Sequence, residues 1–287
     1  MIKPLSHRIT TWVLLAAITV MFLVPLAWVV VTSVKPTEEI YGQSQGSASK
    51  GTIIRILPRK PTLDHYRHVL TELSDFPVYV WNTARITAAT VILVVVCSAL
   101  CGYALARLPF AGAKGILVFL LLIMAVPWIT MLIHLYRMEI TFGLLNTLTG
   151  LILPYTALFM PMAILIMRSA FLSLPADFRE AALIDGANEW RIWSRVMLPL
   201  ARPSLIVVAL ITFISCWKEF TFAVTLNSLP AATTLAVGIT HLQDEAQSWA
   251  YGTLCAAIVL AVLPLLVAFV IFQRQIVGGL AEGAFKG

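Results

Sequence analysis

The sequence predicts an all-α, polytopic membrane protein with six transmembrane helices and a helix-bearing cytoplasmic loop, and three observations carry that expectation. Of 287 residues, 60% are hydrophobic and 12% charged, with a mean hydropathy of +0.90, a balance outside the ordinary range of water-soluble domains. The apolar residues come in blocks near the ~20 residues that a helix needs to cross a bilayer. The basic residues lie between those blocks and form no single stripe, so the net charge of +6 reads as membrane orientation and not as a nucleic-acid footprint.

The first span is Trp12 to Thr32. It follows Lys3 and Arg8 as a signal peptide would, but it is longer than a signal core and carries no small-x-small cleavage site, so it is read as a retained helix. A long outer loop, about Lys35 to Val80, comes next. Its Lys35, Lys50, Arg55, Arg59, Lys60 and Arg67 are nearly balanced by Glu38, Glu39, Asp64, Glu72 and Asp75. The stretch from Gly42 to Gly51 is polar and Gly/Ser-rich, and Leu63 to Leu73 is expected to form a short helix. Gly42-Gln43-Ser44-Gln45-Gly46 matches a nucleophile pattern, yet that chemistry needs a sharp strand-to-helix turn, which a flexible polar loop does not supply.

The remaining spans are Trp81 to Leu105, Gly115 to His134, Leu148 to Met167, Leu205 to Leu226 and Trp249 to Phe272. Pro25, Pro127, Pro161 and Pro264 fall inside spans, where neighbouring helices or kinks accommodate the missing N–H. The chain therefore divides into 1–80, one helix plus an extracytoplasmic loop, and 81–287, a core of five helices with a loop at 173–200 and a tail at 278–287. Lys3, Arg8, Arg107, Lys114, Arg168, Arg179, Arg191, Arg195, Arg202, Arg274 and Lys286 all lie on one side, against Arg137 in the short loops of the other, which places both termini in the cytoplasm. Cys97, Cys101, Cys216 and Cys255 sit in apolar runs as small hydrophobes, with no further ligand at metal spacing.

The cytoplasmic loop from Ser173 to Leu200 reads as two short helices outside the bilayer. Ser173 and Pro175 open the first, with Asp177 and Glu180 against the positive end of its dipole. Gly186 ends it, and Asn188 caps a second helix expected to stop before Pro199. Phe178, Ala181 and Ala182 share one face, and the alanines leave that face thin enough for close approach by another protein. An interfacial helix lying on the membrane, which Trp190 and Trp193 would suit, is the other reading.

Glu180-Ala181-Ala182, Asp185-Gly186-Ala187 and Leu198-Pro199, set before the second-to-last span, resemble the EAA loop of ABC-importer permeases. The run from Gly143 to Leu153, the tryptophan-centred Phe213 to Phe220 and the tail from Gly279 to Gly287 are similar to signatures of the carbohydrate-uptake, maltose-type branch. The Gly42 to Arg55 stretch looks like a lineage-specific insertion, and Lys218 stands where that branch more often has Asn.

The resemblance implies a pore-forming subunit in a bacterial inner membrane. Its partners would be a second related permease, two ATPase subunits, an extracytoplasmic solute-binding protein, membrane lipid and a carbohydrate substrate. It implies no catalytic residue, metal or cofactor in this chain: ATP and Mg would belong to the partner ATPase, since the sequence has no G-x-x-x-x-G-K-[ST] phosphate loop. Glu180 and Gly186 would couple to the ATPase, with Phe178, Ala181, Ala182 and Asp185 beside them. The tail from Gly278 to Gly287 would reach between ATPase subunits, and Asn227 to Ser248 would meet the binding protein. A polyol or glycerol phosphate conjugate is the alternative solute. A gradient-driven secondary transporter is the alternative class, and would call for paired broken helices in corresponding halves.

A charge near the bilayer centre costs about 2.5–3.5 kcal/mol on insertion scales, so Lys218 and Glu219 require a partner or a wet cavity. Trp217, Glu219 and Phe220 are candidates to line a translocation path. The competing expectation puts Lys218 and Glu219 at the outer end or against the partner permease.

Overall fold

The computed structural model describes residues 5–41, 57–245 and 250–284, with backbone alone at 5–10, 41, 243–245, 250 and 274–284. The expected insertion at 42–55 and the end of the tail, 285–287, lie outside the described residues. Among the described residues the chain is helical, without strands.

Four helices are long and apolar enough to cross a bilayer unaided. These are α1 (Leu5–Ser33), whose apolar stretch begins at Thr11, and, after the short α2 (Thr37–Tyr41) and α3 (Asp64–Thr71), the helix α4 (Phe76–Arg107). Beyond α5 (Ala113–Ala125) and α6 (Leu132–Phe142) comes α7 (Leu148–Ser173). The loop elements are α8 (Asp177–Ile184), α9 (Glu189–Ile192) and α10 (Leu198–Leu200), followed by α11 (Arg202–Trp217), α12 (Thr221–Leu226), α13 (Leu235–Glu245) and the last long helix, α14 (Ala250–Ala284). Six spans result if each of two bent pairs counts as one crossing.

The bends are where the structure differs from six uninterrupted rods. The expected Gly115 to His134 span breaks at Val126, and α5 meets the segment Trp128–Phe142 at 89°. Val126 is extended (φ −80, ψ 125), the conformation that a following proline imposes, so Pro127 ends α5 and does not merely kink it. The expected Leu205 to Leu226 span likewise stops at Trp217 and restarts at Thr221.

The chain forms two compact units. One comprises 1–77 and 238–263. In it, every residue from Thr11 to Trp28 is exposed, because α1 is apolar on all sides and offers a membrane no polar face to avoid. Its end is tied down instead. Ser33 Oγ and Tyr66 Oη share a hydrogen bond of 2.7 Å, and Thr62 N donates to Val34 O at 2.9 Å. His65, 3% exposed, lies 2.9 Å from Lys35 O through Nε2 and 3.4 Å from Thr253 Oγ1 through Nδ1. A carbonyl can only accept, so Nε2 donates to it. Gly252 leaves the ring its room: a Cβ there would overlap His65.

The other unit comprises 78–237 and 264–287. Its first core joins Val94, Ala99 and Tyr103 of α4 to Met167 and Phe171 of α7, Ile192 and Met197 of the loop, and Val208 of α11. Gly102 lets α4 and α7 approach closely, since a Cβ would stand 2.7 Å from Met167 Cβ. A second core joins Ile86, Leu151, Tyr155, Cys216, Phe222 and Leu226.

Candidate functional site

Two places in the second unit carry the sequence-predicted residues. The first is the loop between α7 and α11. Ser173 does not open α8: it closes α7, its hydroxyl donating to Ala170 O at 2.8 Å. Helix α8 starts at Asp177 with Asp177 and Glu180 in its first turn, where carboxylates meet the positive end of the dipole. It ends at Gly186, whose φ of +76 falls in the left-handed region that only glycine adopts without strain. Asn188 then accepts from Arg191 N at 2.9 Å and caps α9 as its sequence position suggests.

The second loop helix does not stop before Pro199. A π turn at Trp193–Met197 follows α9, and Pro199 lies in the first turn of α10, where a missing N–H costs least. The turn from α10 into α11 comes at Ala201, with 76° between Glu189–Leu200 and Arg202–Trp217.

The six loop candidates separate by exposure. Phe178, Glu180, Ala181, Asp185 and Gly186 are exposed, whereas Ala182 is half-buried against the first core. Phe178 (46%) and Ile184 (87%) thus leave apolar side chains uncovered on the surface of a helix whose Glu180 is also exposed. Sequence reasoning missed the residues that hold this surface in place: Arg179 donates to Glu189 Oε1, and Tyr103 Oη donates to Glu189 Oε2 at 2.6 Å. The hydrogen bond to Glu189 holds the Arg179 guanidinium above its ordinary range, against the opposing effect of burial.

The second place is the break between α11 and α12. Trp217 is buried and stacks on Phe213 with ring centroids 5.6 Å apart, Phe220 is exposed, and Glu219 is half-buried. Glu219 accepts from Tyr155 Oη at 2.5 Å, from Phe222 N at 2.9 Å and from Ala223 N at 3.2 Å. Its carboxylate therefore caps α12 and anchors it to α7. Lys218, the residue before it, is exposed.

Between α7 and α11 lies an open groove of ≈ 200 Å³ lined in part by Leu158, Met162, Ile166 and Ile211, with Thr212 and Ser215 its only hydroxyls. The Gly143 to Leu153 run folds as a clasp. Gly143 (φ +66) caps α6, Asn146 sits at φ +60, and Thr147 Oγ1 accepts from Gly150 N at 3.0 Å to start α7. Asn146 Oδ1 accepts from Ser228 N at 2.7 Å and Leu229 N at 3.1 Å, while Asn227 Nδ2 donates to Thr147 O at 3.2 Å. The clasp joins two loops distant in sequence. Of the segment 227–248, expected on the outer side, 246–248 lie outside the described residues. Among the described residues no group of three or more metal-ligating side chains is present.

Residues 95–281 match the family model described as binding-protein-dependent transport system inner membrane component. The chain is 35% identical to the diacetylchitobiose uptake system permease protein NgcG of Streptomyces coelicolor, over 93% of this chain and 85% of that protein. It is 33% identical to the trehalose transport system permease protein SugB of Mycobacterium tuberculosis, over 98% and 99%. Among solved structures, a chain of a bacterial ABC transporter involved in the import of the acidic polysaccharide alginate superposes with a TM-score of 0.81. It is 23% identical, with 96% of this chain and 99% of that one covered, and so shares the fold.

Proposed function

The chain belongs to the family of binding-protein-dependent transport system inner membrane components, and from that premise we propose that it forms half of the translocation path for a sugar or oligosaccharide. As a permease of that family it is a multi-pass inner-membrane transport subunit and not an enzyme. The carbohydrate reading draws support from relatives named for diacetylchitobiose and trehalose that align along nearly all of this chain. A second permease of the same kind completes the path, and two separate ATPase subunits bind ATP and Mg. An extracytoplasmic solute-binding protein delivers the solute to outer loops that include 227–245. Both termini face the cytoplasm, in keeping with the excess of Lys and Arg on that side.

The observation that carries the reading is the docking helix α8. Phe178, Glu180, Ala181, Asp185 and Gly186 present an uncovered surface, while Ala182 packs inward and fixes how that surface is held. A cleft of the ATPase takes this helix, so closure of the ATPase pair displaces α8 and switches access across the membrane. Trp217, Glu219 and Phe220 border the path, at the break where α11 gives way to α12.

Reconstitution into vesicles with the copurifying ATPase and the binding protein tests the reading directly. Glu180→Lys reverses the charge on the docking surface without touching a described core. It is expected to insert normally and to lower ATP-dependent uptake of a labelled disaccharide at least about tenfold, the equivalent of ~1.4 kcal/mol of docking energy. Uptake at the unmodified rate would remove α8 from the mechanism.

A further inference from the structure

Tyr103 and Arg107 stand four residues apart in the last turn of α4 and therefore share a face. Arg107 donates from Nε and Nη2 to Phe171 O at 3.1 and 2.6 Å, and from Nη2 to Leu174 O. It thereby grips the carbonyls through which α7 passes into the loop. Tyr103 meets the Phe171 ring edge-on at 5.4 Å, and its hydroxyl donates to Glu189 Oε2. The other oxygen of Glu189 accepts from Arg179, which sits on α8 itself.

Helix α8 is thus bracketed by one turn of one span. Arg107 holds the chain that enters it, and Tyr103, through Glu189, holds both the helix and the chain that leaves it. Behind this bracket Ile192 and Met197 are fully buried against α4 and α7. Interiors packed to that density transmit displacement and do not absorb it. Hydrogen bonds to charged groups are among the stronger ones in proteins, so a rigid displacement of α8 carries the end of α4 with it before it breaks the bracket.

The geometry points to α4, through Tyr103 and Arg107, as the span by which movement of the docking helix enters the membrane, with Glu189 as the linking group. This rests on the reading of α8 as the ATPase docking helix. Tyr103, Arg107 and Glu189 are positioning residues: each acts through α8 and touches neither nucleotide nor solute.

The test measures solute imported per ATP hydrolysed in vesicles that hold the whole assembly. Tyr103→Phe removes one hydrogen bond and keeps the ring, and Glu189→Gln removes the charge. Both are expected to retain the copurifying ATPase and to lower the import-to-hydrolysis ratio about tenfold, the size of one charge-assisted hydrogen bond. Exchange of the pair, Arg179→Glu with Glu189→Arg, is expected to restore part of the ratio lost in Glu189→Gln, which a general loss of folding would not allow. An unchanged ratio in Tyr103→Phe overturns the inference, and that variant decides alone if Glu189→Gln fails to assemble. Glu180→Lys separates the two levels. Should it uncouple while Tyr103→Phe does not, the bracket falls and the docking helix stands; should Glu180→Lys import normally, the docking reading falls with it.

Discussion

Glu219 shows how a single residue in an apolar run resolves its own cost. A carboxylate in a span requires partners, and that requirement is readable from composition; the identity of the partners is not. Two are local, the N–H groups of Phe222 and Ala223, but the third is Tyr155, 64 residues earlier on a facing helix. No periodicity in one segment says which helix faces it. Glu219→Gln weakens all three hydrogen bonds and is expected to lower stability by about 1.5–3 kcal/mol, read as a fall in melting temperature in detergent. The same variant tests the path: apparent affinity for solute should weaken, and an unaltered affinity would reduce Glu219 to a helix cap. Gly252 offers a parallel case. A Cβ there would stand 2.3 Å from Nε2 of His65, whose ring is tied at both nitrogens. Gly252→Ala is therefore expected to cost about 1–3 kcal/mol by overpacking, measurable as a lowered melting temperature.

At the scale of elements, caps were more legible than breaks. Asn188, Gly186 and the acids of α8 follow rules of local chemistry, and each does in the structure what those rules require. Gly186→Ala forces a side chain into φ +76 and should cost about 1–2 kcal/mol, seen as lower uptake with ATPase still bound, because the strain falls on the docking turn. The break at Val126, inside an expected span, was not legible as a break. Proline in a membrane helix is compatible with a kink or with a stop, and the choice depends on which neighbours satisfy the freed carbonyls. The π turn before Pro199 escaped for a similar reason. It inserts an extra residue per turn without any residue type that marks it. Ser173 was misplaced because a hydroxyl at a helix end bonds equally well to the carbonyl behind it or to the N–H ahead, and here it bonds behind.

At the scale of the molecule, hydropathy was enough to establish a helical membrane protein, since an apolar run of ~20 residues has few alternatives in lipid. It was less informative about what packs on what: Tyr103 and Arg107 lie on α4 and Glu189 on α9, and they come together only through tertiary structure. Orientation is open to a direct check. A cysteine placed near Arg59 or Lys60 should react with an impermeant maleimide from outside intact cells, whereas one placed beside Lys114 should react only after the membrane is opened. The reverse pattern would invert the topology. Helix α1 follows a different logic from the rest of the chain. From Thr11 to Trp28 every residue is exposed, and its far end is fastened through Ser33 and Val34. The hydrogen bonds at Ser33 and Val34 set its azimuth, and its exposed apolar length is left for lipid or a neighbouring subunit to cover.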